Sequence, residues 1–305
     1  MATVLVTGAT GFIGEPAVTR LLEMGHVVHC LSRTPPVDRV AGLYWHELDL
    51  VRDSARLRPV LQEVQATHLL HLAWDVTPPS YRSSPANLAF VGATLDLGQA
   101  FCEAGGSRVV LAGTCAEHEW LGAGVDPAPL PQGLYAASKF AVHTVLTQYC
   151  CDRAVSYANG RLFFPFGPRE YPQRLLPGAI NALLDGKPFH VNNGNAIRDF
   201  MYVRDAGRAY AALLESSADG AVDIGSGNGA TLREILGKIV EFTGADSQLV
   251  SFGRHAENGQ EPPVLVADAT RLRDEVGFEP STTLAEGVKQ TVEWWRSVRV
   301  AGSSA

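Results

Sequence analysis

The sequence lacks any apolar segment approaching the roughly 20 uninterrupted residues that a membrane helix needs, and no basic region precedes its first apolar run. It also lacks a dense lysine and arginine run, and its formal net charge is -7 over 305 residues. A nucleic-acid surface would need a basic stripe to displace counterions. We therefore expect a cytoplasmic protein with no membrane or nucleic-acid contact, whose partner is a small molecule.

Cysteine is scarce, and the spacing of the cysteines is not that of a metal site. The five cysteines are Cys30, Cys102, Cys115, Cys150 and Cys151. Their number is odd, and they lack the Cys-x-x-Cys spacing of zinc and redox sites. We predict reduced thiols that are mostly packed, and no metal site.

The chain does contain a regular alternation of short apolar runs and longer amphipathic segments. This pattern is typical of strands joined by crossover helices. It predicts strands at 2–6, 26–31, 43–48, 67–72 and 107–112, and helices at 17–24, 54–64 and 87–104. The expected fold is α/β, a Rossmann-like doubly wound parallel sheet with helices on both faces.

The pattern changes after about residue 165, where prolines interrupt the chain and the regular alternation ends. A helix at 201–215 and a short strand at 222–224 follow. We assign residues 1–165 to a dinucleotide-binding domain, to which residues 196–225 return. Residues 166–195 and 226–305 are assigned to a smaller substrate-binding lobe.

A glycine-rich turn, TGATGFIG, separates the first predicted strand from the first predicted helix. A turn in this position brings backbone N–H groups against a pyrophosphate at a helix N-terminus, where side chains would obstruct the approach. Glycine patterns are weak evidence alone, but this one has the strand-turn-helix context of a dinucleotide site. Its candidate cofactor contacts are Gly8, Gly11, Phe12, Ile13 and Gly14.

The end of the second predicted strand bears on the choice of cofactor. A site for NAD usually has an acidic residue there, whereas this chain has Ser32 and Arg33. A hydroxyl and a guanidinium suit a 2′-phosphate, which favours NADP(H) over NAD(H). The alternative is an Arg33 that is solvated or stacked on adenine. Asp49 and Leu50 follow the third strand, where Asp49 could bind the adenine amino group or cap a helix.

The segment YAASK places Tyr135 and Lys139 four residues apart on one face of a predicted helix. A phenol with a pKa of about 10 is a poor acid–base group at neutral pH until an ammonium stabilises its phenolate. Lys139 can supply that charge and can also hold the nicotinamide ribose. Thr114 ends the fifth strand, where open parallel sheets bind ligands, so its hydroxyl can anchor the reacting oxygen.

Six segments in order, TGATGFIG, HLAW, GTCAEH, YAASK, GRLFFPFGP and RDFMYVRD, resemble those of the extended short-chain dehydrogenase/reductases over nearly the whole chain. The resemblance implies a bilobal fold, a catalytic triad of Thr114, Tyr135 and Lys139, and a cofactor pocket lined by Leu72 and Ala73. It also implies a homodimer formed through a four-helix contact, and nucleotide-sugar substrates.

By the same resemblance, Arg198 matches the arginine that grips the substrate diphosphate. Its fork of N–H donors meets phosphate oxygens in pairs. The alternative interpretation of Arg198 is a surface ion pair with Asp199. With Thr114, Cys115 and Phe164, Arg198 completes the candidate substrate contacts.

Departures from the family pattern narrow the expected chemistry. Nucleotide-sugar 4,6-dehydratases of the family place an Asp-Glu pair directly after the triad threonine, whereas Cys115 and Ala116 stand here. Neither can serve as acid or base for water loss. Phe164 replaces an asparagine that many members use against the sugar diphosphate. Glu117 and His118 replace an apolar-aromatic pair, and either could point into the pocket. His118 could then act as an acid or base, but a solvated or hydrogen-bonded loop histidine is the favoured interpretation.

The favoured hypothesis is an NADPH-dependent reductase of a nucleotide-linked 4-keto-6-deoxysugar, similar to abequose-synthase-like enzymes. An NAD-dependent epimerase, which keeps and recycles its nicotinamide, shares the same triad and is the main alternative. Two further alternatives are a non-catalytic NADP-binding sensor and a reductase of a non-sugar ketone. The triad argues against the first of these, and Arg198 argues against the second.

Overall fold

The protein is described by a computed structural model covering residues 1–37, 40–120, 133–253 and 262–302, without the side chains of 118–120 and 301–302. The strands are β1 (Thr3–Thr7), β2 (Val27–Ser32), β3 (Leu43–Glu47), β4 (His68–His71), β5 (Arg108–Thr114), β6 (Ser156–Leu162), β7 (Phe164–Phe166), β8 (Phe189–Val191), β9 (Ile197–Tyr202), β10 (Gly220–Ile224), β11 (Gly229–Thr231), β12 (Val250–Phe252) and β13 (Val264–Leu265).

The helices are α1 (Gly14–Glu23), α2 (Ser54–Val64), α3 (Ala86–Glu103), α4 (Leu134–Cys151), α5 (Leu175–Leu184), α6 (Val203–Glu215), α7 (Leu232–Thr243), α8 (Thr270–Asp274) and α9 (Leu284–Gly302). Two 3-10 helices span Cys115–Trp120 and Ser247–Leu249. None of the helices within the described ranges combines the length and the apolar composition of a membrane-spanning segment.

The main sheet contains seven strands of the described chain in the order β10-β6-β5-β4-β1-β2-β3. Every pairing in it is parallel. The five strands predicted before residue 113 are present, and so is the return of residues 222–224 to this sheet. The predicted Rossmann-like α/β class is confirmed.

Strand β6 carries no prediction, because its sequence SYANGRL is not an apolar run. The structure explains two of its polar residues. The Asn159 side chain meets Glu117, and Arg161 Nε donates to Asp223 Oδ1 at 2.7 Å. A side chain at Gly160 would collide with the Tyr210 ring, which packs against that strand. These partners come from distant parts of the chain, so local hydrophobicity could not reveal the strand.

Helices cover both faces of the main sheet, as expected for buried parallel strands. On one face α3 packs between α2 and α4, and their apolar residues join the strands in one core. On the other face α1 meets α6, where Gly207 lies directly against the backbone of Pro16 and Ala17.

The chain divides into two compact units, and the division is discontinuous. The first unit contains Met1–Leu162, Ala206–Ile224 and Ala269–Glu279, and the second contains Phe163–Asp205, Gly225–Asp268 and Pro280–Ala305. The assignment made from sequence differs at three points: the first stretch ends earlier, β9 belongs to the second unit, and residues 269–279 return to the first. Arg271 accounts for that return, because its guanidinium donates to the carbonyls of Asp219 and Ala221.

The second unit is built around β9. This strand pairs in parallel with β7 and β13 and antiparallel with β11. Helices α5, α7 and α9 pack against one another and share an apolar core with residues of β7 and β9. Helix α7 has a full capping box, in which Thr231 and Glu234 satisfy each other's backbone N–H groups, and it ends at Gly244 with φ +69°. These local signals fix both ends of the helix.

Candidate active site

The glycine turn after β1 forms a cradle that admits no side chains. Gly8 has φ +72°, and a Cβ on it would lie 2.7 Å from the Ala73 nitrogen. A Cβ on Gly14 would collide with the Gly8 carbonyl, while Gly11 N–H donates to that carbonyl at 2.9 Å. Helix α1 then begins with no side-chain cap at Ile13, and Phe12 and Ile13 are half-buried in the turn. An open helix N-terminus beside a glycine backbone fits a dinucleotide pyrophosphate.

A buried hydrogen-bonded network fixes the opposite wall of this cradle. Thr7 Oγ1 accepts from the Ala73 N–H at 3.2 Å and lies 2.6 Å from His71 Nδ1. His71 Nε2 lies 2.9 Å from Thr94 Oγ1. Burial, assisted by the charge of Lys139, lowers the pKa of His71 to about 3, so the ring is neutral. The network therefore holds Leu72 and Ala73 against Gly8 without adding charge.

The ends of β2 and β3 border a cavity of about 360 Å³. It is lined by Arg33, Glu47, Asp49, Arg52 and Asp53. Of these, the sequence predicted Arg33 and Asp49 but not Arg52, which follows β3 without any motif. Arg33 is exposed at the end of β2. The cavity thus combines two guanidinium groups with three carboxylates where an adenosine ribose is expected.

Three of the predicted cofactor contacts also have local structural roles. Asp49 Oδ1 accepts from the backbone N–H groups of Val51 and Arg52, at 2.9 and 3.2 Å, while the Asp49 N–H donates to Asp53. Asp49 therefore organises the turn before α2, in addition to lining the cavity. Ser32 Oγ accepts from the Thr34 N–H at 3.3 Å. Leu50 packs against the main core.

Thr114, Tyr135 and Lys139 lie together at the carboxyl end of β5. Tyr135 and Lys139 project from α4, and the Tyr135 hydroxyl is hydrogen-bonded to the Thr114 side chain. Lys139 Nζ donates to the Ala112 carbonyl at 2.8 Å. Tyr135 is positioned by its backbone as well, because its N–H donates to the Arg82 carbonyl at 3.0 Å. The structure thus brings together the three residues that the sequence placed in one site.

Burial dominates the electrostatics of this cluster. Lys139 is only 3% exposed, and burial lowers its pKa to about 7, a fall that the nearby Glu117 carboxylate partly opposes. Burial also raises the pKa of Tyr135 above its usual value, while the hydrogen bond from Thr114 acts in the opposite direction. Tyr135 is therefore a protonated phenol at neutral pH, beside an amine that titrates near neutrality.

Aromatic residues that the sequence analysis did not single out enclose this cluster. The Trp74 ring lies 3.9 Å below Lys139 Nζ, and the ring of Tyr81 meets that of Tyr135 edge-on. Asn87 anchors the wall, because it accepts from Trp74 Nε1 at 2.8 Å and donates to the Tyr81 carbonyl at 2.7 Å. A tryptophan in HLAW was the available signal, but only the fold places it under Lys139.

The side chains of the residues that follow Thr114 have different surroundings. Cys115 is half-buried and close enough to Tyr135 for its charge to affect the pKa of that phenol. Glu117 is buried, and its carboxylate accepts from the Thr114 backbone N–H and from the Asn159 side chain on β6. The side chain of His118, the other residue considered for acid–base work, lies outside the described residues. All five cysteines are described and are reduced thiols.

The second unit holds the remaining predicted substrate contacts. The Arg198 guanidinium carbon lies 5.6 Å from the centre of the Phe164 ring, and its Nη1 donates to the Ile197 carbonyl at 2.9 Å. The alternative of a surface pair with Asp199 is wrong, because Arg198 is only 5% exposed and Asp199 is fully buried. The Asp199 carboxylate instead accepts from the backbone N–H groups of Ser226, Gly227 and Ala267.

The family profile described as "NAD dependent epimerase/dehydratase family" matches residues 4–225 of the chain. The chain belongs to this family. Membership confirms the resemblance to extended short-chain dehydrogenase/reductases, and because this is a family of NAD-dependent oxidoreductases, the protein is an enzyme.

Individual relatives carry different chemistries. A dTDP-glucose 4,6-dehydratase of Streptomyces griseus is 28% identical, in an alignment that covers 97% of this chain and 94% of the dehydratase. The solved structure of MoeE5 with UDP-glucuronic acid and NAD is 29% identical, with a TM-score of 0.81. The superposition covers 97% of this chain and 99% of the MoeE5 chain. The structure of the UDP-glucose 4-epimerase of Thermus thermophilus, bound to NAD, is 27% identical, with a TM-score of 0.80. The superposition covers 96% of this chain and 99% of the epimerase chain.

Proposed function

We propose that this enzyme reduces a nucleotide-linked 4-keto-(6-deoxy)sugar to the 4-hydroxy sugar with NADPH. The observation that carries the proposal is the cluster of Thr114, Tyr135 and Lys139 beside the glycine cradle. The two features are adjacent, because Ala73 lies against Gly8 and the next residue, Trp74, lies under Lys139. The cradle would hold the pyrophosphate of a dinucleotide, and the neighbouring cluster would supply the groups for proton transfer.

The residues of the cluster divide the work of proton transfer. When bound, the cofactor supplies the hydride to the carbonyl carbon. Tyr135 donates its phenolic proton to the carbonyl oxygen, and the Thr114 hydroxyl donates a hydrogen bond to the same oxygen. The Lys139 ammonium stabilises the phenolate that Tyr135 becomes. Replacing Tyr135 with phenylalanine removes the proton donor alone.

The protonation state of Tyr135 is compatible with the proposed reduction. The raised pKa of Tyr135 keeps the phenol protonated at neutral pH, which suits a proton donor to a reduced ketone. Dehydration needs a separate acid and base. Cys115 and Ala116 supply no carboxylate, and Glu117 is committed to Thr114 and Asn159. These side chains favour reduction over water loss.

Arg33 and Arg52 support the choice of NADPH. Both line the cavity at the ends of β2 and β3, and a 2′-phosphate accepts hydrogen bonds from two guanidinium groups better than a ribose diol does. We expect Arg33→Ala and Arg52→Ala each to weaken NADPH binding about tenfold or more and to leave NADH binding nearly unchanged. Arg58→Ala is the matched control, because Arg58 is exposed on α2 and pairs with Glu103.

A titration of the purified protein with both cofactors, followed by nicotinamide fluorescence, tests this choice. Denaturing extraction identifies any cofactor that copurifies. Preference for exchangeable NADPH, lost in the Arg33 and Arg52 variants, supports the reductase. Equal affinity for NADH and NADPH, in the wild type and in both arginine variants, contradicts it.

An NAD-dependent nucleotide-sugar epimerase is the second candidate. It is favoured by the MoeE5 and Thermus thermophilus structures, which contain NAD. Copurified NAD that does not exchange, with conversion of the sugar and no net consumption of cofactor, would select the epimerase. A non-catalytic NADP-binding sensor would show no change in nicotinamide absorbance with any nucleotide sugar.

Arg198 supports the nucleotide-sugar assignment in either case. It is a buried cation held against Phe164, and a guanidinium group suits the oxygens of a diphosphate. Charge reversal, Arg198→Glu, is expected to raise KM for a nucleotide sugar by at least about a hundredfold while cofactor binding is retained. Unchanged affinity would favour a non-sugar ketone instead.

We further propose a cytoplasmic homodimer. Helices α3 and α4 pack side by side and expose Leu88, Phe140 and Val145, which supply apolar surface for a four-helix contact with a second copy. Light scattering is expected to give the mass of two chains, and charged substitutions of Leu88 and Val145 are expected to give that of one.

A further inference from the structure

Glu117 is a buried carboxylate that stands directly behind the proposed catalytic groups. It is 3% exposed. Oε1 accepts from the Thr114 N–H at 3.0 Å, and Oε2 accepts from Asn159 Nδ2 at 2.7 Å. The carboxylate therefore connects the end of β5, where Thr114 lies, to the neighbouring strand β6.

The surrounding structure makes room for this contact. A Cβ on Gly113 would lie 2.8 Å from Glu117 Oε1 and would collide with Asn159 Oδ1. Only glycine at 113 lets the carboxylate and the amide approach the strand. Burying a carboxylate disfavours its charged form, so hydrogen-bond donors and positive charges are needed nearby to stabilise that form. Burial raises the pKa of Glu117, and its two N–H donors, together with the positive charges of Lys139 and Arg161, oppose that rise.

We infer that Glu117 is a positioning residue for the proposed hydride transfer, acting on Thr114 through its backbone N–H and on Tyr135 and Lys139 through its negative charge. The inference rests on the proposed roles of those three residues. Asn159 has the supporting role of holding the Glu117 carboxylate in place. An apolar side chain at 117 would fill the same space but would supply neither effect.

The charge acts on both titrating groups in the same direction. A nearby carboxylate disfavours the phenolate of Tyr135 and favours the ammonium of Lys139, so it raises the pKa of each. Removing the charge must lower both pKa values. The pH profile for ketone reduction, which needs a protonated Tyr135 and a charged Lys139, then moves to lower pH as a whole.

Glu117→Gln removes the charge with little change of shape. The Gln carbonyl still accepts from the Thr114 N–H. If the Asn159 amide turns over, Asn159 Oδ1, which has no hydrogen-bond partner among the described residues, can accept from the new amide. The exposed carboxylate of Glu241 on α7 provides the matched control, Glu241→Gln. Asn159→Ala is a second test variant, because it removes one of the two donors that keep Glu117 charged.

The first readout is the Lys139 pKa itself, which does not depend on turnover. The chain has only four lysines, so the signals of ¹³C-labelled lysine side chains can be titrated by NMR and Lys139 assigned with Lys139→Met. We expect the Lys139 midpoint to fall by on the order of one pH unit in Glu117→Gln, less in Asn159→Ala, and not at all in Glu241→Gln.

The second readout is kcat/KM for NADPH-dependent reduction of a dTDP-4-keto-6-deoxyhexose across pH. The ratio of Glu117→Gln to wild-type activity is expected to fall as pH rises. A lower rate with an unshifted profile and an unshifted Lys139 midpoint would make Glu117 purely structural and overturn the inference. Full activity of Tyr135→Phe and Lys139→Met would instead overturn the proposed function, so the two failures are distinguishable.

Discussion

Replacing Lys139 with methionine is expected to stabilise the protein and to abolish its activity. Methionine has about the same length and flexibility as lysine and carries no charge, so it can fill the same space under α4. Lys139 is almost fully buried, with its ammonium against the Ala112 carbonyl and the Trp74 ring. The Lys139→Met variant therefore tests the effect of the ammonium on stability separately from its effect on catalysis.

The magnitude follows from the pKa of Lys139, which falls from 10.5 to about 7 on folding. Each pKa unit corresponds to about 1.4 kcal/mol, so at pH 7 the buried amine costs the folded state about 4 kcal/mol. Methionine avoids that cost but loses the hydrogen bond to Ala112 and the contact of the ammonium with Trp74, together about 2 kcal/mol. The free energy of unfolding of Lys139→Met at pH 7 is therefore expected to exceed that of the wild type by about 2 kcal/mol.

The stability difference between Lys139→Met and the wild type is expected to change with pH in a defined direction. Between pH 7 and pH 10.5 the unfolded lysine keeps its proton while the folded lysine loses it, so the stability of the wild type rises with pH in this window. The methionine variant has no such group. The stability advantage of Lys139→Met over the wild type should thus be largest below pH 7, the approximate pKa of Lys139 in the folded protein. It should shrink by about 2 kcal/mol towards pH 9.

Urea unfolding followed by circular dichroism, from about pH 6 to about pH 9, measures this difference. Lys289→Met is the control, because Lys289 is exposed on α9. A stability difference between Lys139→Met and wild type that does not change with pH would refute the reasoning, since it would mean that Lys139 titrates alike in the folded and unfolded chains.

Other substitutions test separate parts of the site. Tyr135→Phe is expected to lower kcat by at least about a hundredfold with cofactor affinity preserved, as measured by nicotinamide fluorescence; near-normal turnover would exclude Tyr135 as the proton donor. Gly8→Ala is expected to lose about 1–3 kcal/mol of stability and most cofactor binding, because φ is +72° and the new methyl meets Ala73; wild-type NADPH affinity would contradict the cradle. Asn87→Leu is expected to release Trp74 and to change the intrinsic tryptophan fluorescence, and an unchanged spectrum would count against that anchor.

Much of the first unit could be predicted because its signals are local. A strand, a glycine turn and a helix in sequence leave one geometry for TGATGFIG, and the structure has it at Gly8 and Gly14. The four-residue spacing of Tyr135 and Lys139 places both on one face of α4 by helix geometry alone. The family, too, could be recognised from such segments.

Other features could not be predicted, since they depend on residues that only folding brings together. Strand β6 looked unlike a strand because its polar residues serve Glu117 and Asp223. The sequence left open whether Glu117 enters the pocket, and the packing of β5 against β6 turned it inward. No pattern marked Arg52 as a neighbour of Arg33.

By itself, then, the sequence determined the fold class, the glycine cradle and the shared face of Tyr135 and Lys139, since each depends on backbone geometry over a few residues. Tertiary structure alone decided which side chains surround those groups. Trp74 reaches Lys139 across 65 positions of sequence, and burial from all sides lowers the pKa of that amine to about 7. The physical reason is that desolvation and charge act through space, and space is assigned by the packing of the whole unit.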